Sequence, residues 1–134
     1  MTSEDVKDPE GLRAHVVRHE EAPEQSWEGI VSWRALICGA AGPSEGLTVG
    51  IAELAVGATI DGALHRHEQH EVYVVLSGSG RIHLDGTAHV VEPGSAVFIP
   101  GGVQHCAENT GDEPLRLVYV LAADAAADVH YDFS

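Results

Sequence analysis

Turn-forming residues recur at roughly ten-residue intervals from Gly39 onward, and this rhythm restricts the fold more than any other feature of the chain. The punctuation falls at Gly39 to Gly46, Asp61-Gly62, Gly78 to Gly80, Asp85-Gly86, Pro93-Gly94, Pro100 to Gly102 and Asn109 to Glu113. Between these turns lie short β-rich runs at 30–38, 47–56, 72–77, 81–84, 88–91, 96–99 and 115–121. None of them carries a long apolar stripe of helical period. Asp85-Gly86 is the sharpest local signal, because a two-residue hairpin turn needs positive φ at both central positions and Asp and Gly tolerate it. Only 122–129, rich in alanine, suits a short helix or turn. The expectation is an all-β, antiparallel sandwich or barrel.

A chain of 134 residues accommodates one such domain around one core. Residues 1–29, acidic and punctuated by Pro9, Gly11 and Pro23, read as a partly ordered lead-in around Leu12, Val16 and Val17. Residues 30–121 then form the barrel and 122–134 a C-terminal tail. Seven Lys and Arg against 21 Asp and Glu leave a formal charge of -14, which disfavours nucleic acid and anionic membranes as partners. The chain has no apolar run of the roughly 20 residues that span a membrane, and its N-terminus lacks signal-peptide character. The expected location is cytoplasmic, with Cys38 and Cys106 as two free thiols.

Nine histidines are unusual for this length, and their placement is more informative than their number. On an extended strand, His65 and His67 point to one side, roughly 6.6 Å apart, close enough to converge on one ion. Glu71 opens the apolar run that follows, with its carboxylate free to aim at the same point. His105 follows the Pro100-Gly101-Gly102 turn, and an antiparallel pairing brings it opposite the His65-His67 pair. Three imidazoles and a carboxylate suit one divalent transition metal ion, Fe, Mn, Ni, Cu, Co or Zn, better than Ca or Mg. Octahedral coordination leaves two positions for water, substrate or dioxygen. His70 lies on the opposite strand face from Glu71, and Glu68 sits in the intervening turn, so both read as solvated. Tyr73 shares the inward face with Glu71 and offers a hydroxyl to a substrate. The facing of Arg34, Glu53, Arg81 and His83 stays open at this level, Trp33 and Phe98 read as packing, Asn109 as structural, and Cys106 as pointing away from the metal.

His65-x-His67-x3-Glu71-x6-Gly78 resembles the first motif of the cupins. Gly94-x5-Pro100-x-Gly102-x2-His105-x3-Asn109 resembles the second. The glycine that opens the first motif falls at Thr59, a departure that touches a loop and no metal ligand. The resemblance implies a small single-domain cupin of the RmlC-like type, an antiparallel jelly-roll β-barrel holding a metal through His65, His67, Glu71 and His105. It further implies a mononuclear metal-dependent enzyme acting on a small organic substrate, as a dioxygenase, isomerase, decarboxylase or lyase. Dioxygenase is placed first because adjacent vacancies in a histidine-rich site suit oxygen binding. Glu71 and Tyr73 are then the candidate catalytic residues. The alternative is a non-catalytic module that binds or senses a small molecule, with no helix-turn-helix for a direct role on DNA. Dimerisation is expected by the same resemblance, through an edge near 30–37.

Overall fold

The computed structural model describes residues 11–40, 42–59 and 63–133. The first ten residues of the acidic lead-in and the Asp61-Gly62 turn lie outside them. Nine strands follow in order: β1 Gln25–Trp27, β2 Val31–Ile37, β3 Thr48–Leu54, β4 Glu71–Ser77, β5 Gly80–Leu84, β6 Thr87–Val91, β7 Ala96–Ile99, β8 His105–Asn109 and β9 Leu115–Leu121. They form a six-stranded sheet ordered β1-β2-β3-β9-β4-β7 and a three-stranded sheet ordered β6-β5-β8. The ladders between these strands are antiparallel, and the two sheets close into the jelly-roll barrel expected of the sequence.

The β5–β6 hairpin turns where its dipeptide demands. Asp85 and Gly86 take φ of 46° and 86°, and Leu84 pairs with Thr87 across the turn. Residues 122–129 hold a single 3-10 turn, Ala126–Asp128. Two strands escape the sequence pattern. The first, β1, is three exposed residues paired with β2. The second, β8, reads His-Cys-Ala-Glu-Asn, without one β-branched residue, and it exists because β5 supplies its hydrogen-bond partner.

Alternation along the strands decides what the barrel contains. Leu115, Leu117, Tyr119 and Leu121 of β9 point inward, as do Tyr73 and Val75 of β4, and all of these but Leu121 join Leu54, Ile82 and Ile99 in one core. Each fully buried aliphatic side chain contributes about 1.5–3 kcal/mol relative to exposure. Glycine at position 50 is a packing requirement, since a β-carbon there would collide with the Tyr119 hydroxyl and the Arg34 carbonyl. Asn109 is buried and structural: its amide donates to the carbonyls of Leu54, Ala55 and Glu113, and its oxygen accepts from Gly111 N–H.

The register also settles the four charged or titratable positions that sequence left open. Glu53 lies across from Arg116 on the outer face, 3.5 Å away. Arg34 shares that face and donates to the carbonyls of His19 and Ala22 and to Glu24, fastening the lead-in. Arg81 and His83 point out of the three-stranded sheet, where His83 Nε2 sits 3.0 Å from Glu108. One expectation is corrected here. The segment 30–37 is not a free edge, because β1 pairs with β2 and leaves that strand interior to its sheet.

Candidate metal centre

The sequence around His65 and His67 contains too few β-formers for a long strand, and the segment makes isolated bridges. One of them is decisive: His65 and His105 exchange both backbone hydrogen bonds, at 3.1 and 2.8 Å. Because side chains of directly opposed residues emerge on one side of a ladder, this bridge sets the two imidazoles together. Their ring centres are 4.3 Å apart, and His67 joins them at 5.9 and 4.9 Å. A second clamp joins the same two loops. Gly102 N–H donates to the His67 carbonyl and Gly101 N–H to Nδ1 of the exposed His70. A β-carbon at Gly101 would collide with the Glu68 carbonyl, so this close approach requires glycine.

Each of the three rings is oriented by its own backbone. His65 Nδ1 lies 2.8 Å from the Ala63 carbonyl, His67 Nδ1 2.9 Å from Gln69 and His105 Nδ1 2.8 Å from Val103. A carbonyl only accepts, so every Nδ1 carries hydrogen and every Nε2 is turned toward the centre, the arrangement that orients metal-binding imidazoles. One nitrogen from each ring lies within 4.8 Å of the other two. The Glu71 carboxylate, at the first position of β4, enters the same space, with Oε1 3.2 Å from His67 Nε2 and 3.3 Å from His105 Nε2.

Electrostatics bind the group together. His67 is pushed up, chiefly by its hydrogen bond to Glu71. Burial drives the Glu71 carboxyl up, but the neighbouring His105 and His67 outweigh it and hold it below the usual carboxylate range. His65 is pushed down, chiefly by burial. His105 is 0% exposed, and its contact with Glu71 is near enough for attraction yet off line for a hydrogen bond. Its Nε2 is therefore a buried polar atom without a hydrogen-bond partner. Such an atom is costly unless something else satisfies it. A divalent transition ion fits this donor set, with three neutral imidazoles and one carboxylate supplying nitrogen and oxygen lone pairs.

The structure brings His65, His67, Glu71 and His105 together, with Tyr73 beside them. The Tyr73 ring centre lies 6.2 Å from that of His105, and its hydroxyl is pushed well up, first by burial and then by the charge of Glu71. Glu68 and His70 are exposed, as expected of solvated turn residues. Cys106 sits one position out of phase with His105, and burial pushes its thiol up to about 11. Both cysteines are free. Trp33 packs against the core, whereas Phe98 is mostly exposed and faces His70.

Sequence reasoning missed three residues at this centre. Tyr119 lies beside Tyr73 across the β4–β9 ladder, and its hydroxyl is pushed up to about 12 by burial and then by Glu71. Its inward parity within β9 was the available signal. Tyr131 stands 5.7 Å from His65 and 5.5 Å from His67 between ring centres, and Phe133 stands 5.7 Å from His65. No local pattern announces these two, because they arrive through a backbone bridge between Arg66 and Asp132. A cavity of about 470 Å³ runs along this bridge, with His67, Gly102 and Asp128 in its wall.

Residues 50–121 match the family profile described as a Cupin domain. Among curated proteins, the chain is 36% identical over 106 residues to dimethylsulfoniopropionate lyase DddW of Ruegeria pomeroyi, covering 79% of this chain and 68% of that protein. It is 30% identical over 109 residues to Protein SchB of Streptomyces halstedii, covering 81% and 78%. Among solved structures, an RmlC-like cupin from Shewanella frigidimarina superposes with a TM-score of 0.69 at 21% identity, covering 88% of this chain and 97% of the other. The polyketide cyclase RemF from Streptomyces resistomycificus superposes at 0.68 and 24%, covering 81% and 78%. With both motifs, the antiparallel barrel and the three converging histidines in place, the chain belongs to the cupin family.

Proposed function

We propose that this protein is a mononuclear metal-dependent lyase acting on a small carboxylate. The observation that carries the metal reading is the buried, hydrogen-bond-free His105 Nε2, aimed into a space it shares with His65, His67 and Glu71. On this reading one divalent transition ion is held by His65, His67, Glu71 and His105. Such an ion would supply Lewis acidity toward a substrate oxygen. The chain supplies the rest. Tyr73, whose hydroxyl stays protonated in its buried position, donates a hydrogen bond to the substrate carboxylate. On this reading the Glu71 carboxylate, which enters the same space, accepts the proton removed next to that carboxylate. In a β-elimination the C–H electron pair becomes the new C=C bond, the bond to the β-substituent breaks, and the leaving group departs with its electrons.

The lyase reading displaces the earlier preference for a dioxygenase. Elimination needs a proton acceptor and a donor beside the metal, and Glu71 and Tyr73 offer that pair. The relationship to a dimethylsulfoniopropionate lyase points the same way and makes that sulfonium carboxylate the first substrate to test. The expected result, with metal-loaded protein, is release of dimethyl sulfide and acrylate without oxygen uptake. Oxygen consumption in step with substrate loss would restore the dioxygenase. Tight binding of carboxylates with no turnover would favour a sensing module.

We also propose a homodimer formed through the outer face of the six-stranded sheet. Val49, Ile51, Val72, Val74, Val118 and Val120 line that face half-buried, beside the exposed Leu76 and Phe98. An apolar surface of this extent favours association with a second copy. Light scattering at micromolar concentration is expected to give twice the chain mass, and Val74→Glu to halve it. The free cysteines support a reducing, cytoplasmic location. Among the described residues, no helix is long and apolar enough to cross a membrane.

A further inference from the structure

The segment after β9 follows a fastened path. Ala122 N–H donates to the His70 carbonyl, and the Thr48 hydroxyl donates to the Ala123 carbonyl. Gly39 N–H donates to the Asp124 carbonyl and Gly46 N–H to the Asp124 carboxylate. A 3-10 turn at Ala126–Asp128 then delivers Val129 into a buried position. Finally Arg66 and Asp132 exchange both backbone hydrogen bonds, at 2.8 and 2.9 Å. In an extended bridge the neighbours of the paired residues emerge on the opposite side from the pair. Tyr131 and Phe133 therefore share the side of His65 and His67, which is the metal-facing side.

The exposure of these rings is the unusual part. Phe133 is 62% exposed and Tyr131 37%, so neither is spent on the barrel's own core. Both rings are held against the His65 and His67 imidazoles by main-chain bonds and keep exposed area that an apolar group entering beside them would cover. We infer that Tyr131 and Phe133 form the apolar wall of the substrate subsite, and that they select small carboxylates by the aliphatic portion carried against the rings. This inference rests on the metal reading above. It adds the far end of the substrate to a site otherwise described only by its metal end, and it makes Tyr131 and Phe133 specificity-determining residues carried by a strap.

The test uses the full chain loaded with Co(II), whose visible absorption bands respond to ligands entering the open positions, and titrates formate, acetate, propionate and butyrate as probes. In the unaltered protein each added methylene is expected to tighten binding about threefold, somewhat below the value for complete burial of a CH₂. Tyr131→Ala/Phe133→Ala is expected to abolish this gradient, and Tyr131→Phe to retain it. Asp132→Pro removes the N–H that holds the strap and is expected to flatten the gradient, whereas Asp132→Ala keeps that N–H and the gradient. Melting curves of the metal-free variants show which are folded, and the double alanine variant carries the test if Asp132→Pro is not. A gradient that survives in the double variant overturns the inference while leaving the metal centre standing. So does a gradient lost in Tyr131→Phe, which would assign the effect to the hydroxyl. Failure of the unaltered chain to take up cobalt overturns the metal reading and this inference together.

Discussion

Saturation with zinc or cobalt is expected to raise the melting temperature of this protein by about 10 °C. The ion binds only the folded chain, because the unfolded one holds no converged set of imidazoles. At a free metal concentration one hundred times Kd, mass action then contributes about 2.7 kcal/mol. A domain of this size moves by about 3–5 °C for each kcal/mol. His67→Ala is expected to melt at one temperature with or without metal. A chelator should return the unaltered protein to its metal-free melting point, which checks that the shift is reversible binding. A common shift in both proteins would mean the ion binds elsewhere, for example along the acidic surface.

His105→Gln is expected to lower metal affinity by more than about a hundredfold and to abolish turnover. Loss of residues that merely orient a ligand already costs about 10–100-fold, and His105 supplies a donor atom itself. Glutamine keeps much of the buried volume, so the variant separates the loss of a ligand from the cavity that His105→Ala would leave. The metal-free variant is expected to lose about 1–2 kcal/mol relative to the metal-free parent, since it gives up the Nδ1 hydrogen bond to the Val103 carbonyl and the attraction to Glu71, while Nε2 itself has no hydrogen-bond partner. A competition titration against a coloured zinc chelator measures the affinity, and urea unfolding measures the stability. Unchanged affinity would remove His105 from the centre, whatever the activity does.

The residues that sequence exposed and those it hid differ in a physical way. His65, His67, Glu71 and His105, which the structure brings together, were legible as a candidate set because metal chemistry needs particular side chains at particular offsets, and those offsets survive in one dimension. The Asp85-Gly86 turn was legible because positive φ at two successive residues restricts residue choice. The alternation in Leu115–Leu121 was legible for the same kind of reason, since one buried face imposes a period of two. Strand β8 was hidden because its partner, not its composition, makes it a strand. The outward facing of Arg34, Glu53, Arg81 and His83 was hidden because it depends on register, which the ladders set. Tyr131 and Phe133 were hidden most deeply. Their place beside the converging histidines depends on a bridge between positions 66 and 132, and nothing near either position encodes the other.

Metal stoichiometry tests the central claim most directly. The protein, expressed without a histidine tag, would be assayed by inductively coupled plasma mass spectrometry beside a His65→Ala/His105→Ala variant. The account predicts about one transition metal ion per chain in the unaltered protein and essentially none in the variant. Absence of metal from the unaltered protein, even after reconstitution with each of iron, manganese, cobalt, nickel, copper and zinc, would contradict it. An equal metal content in both proteins would contradict it as well.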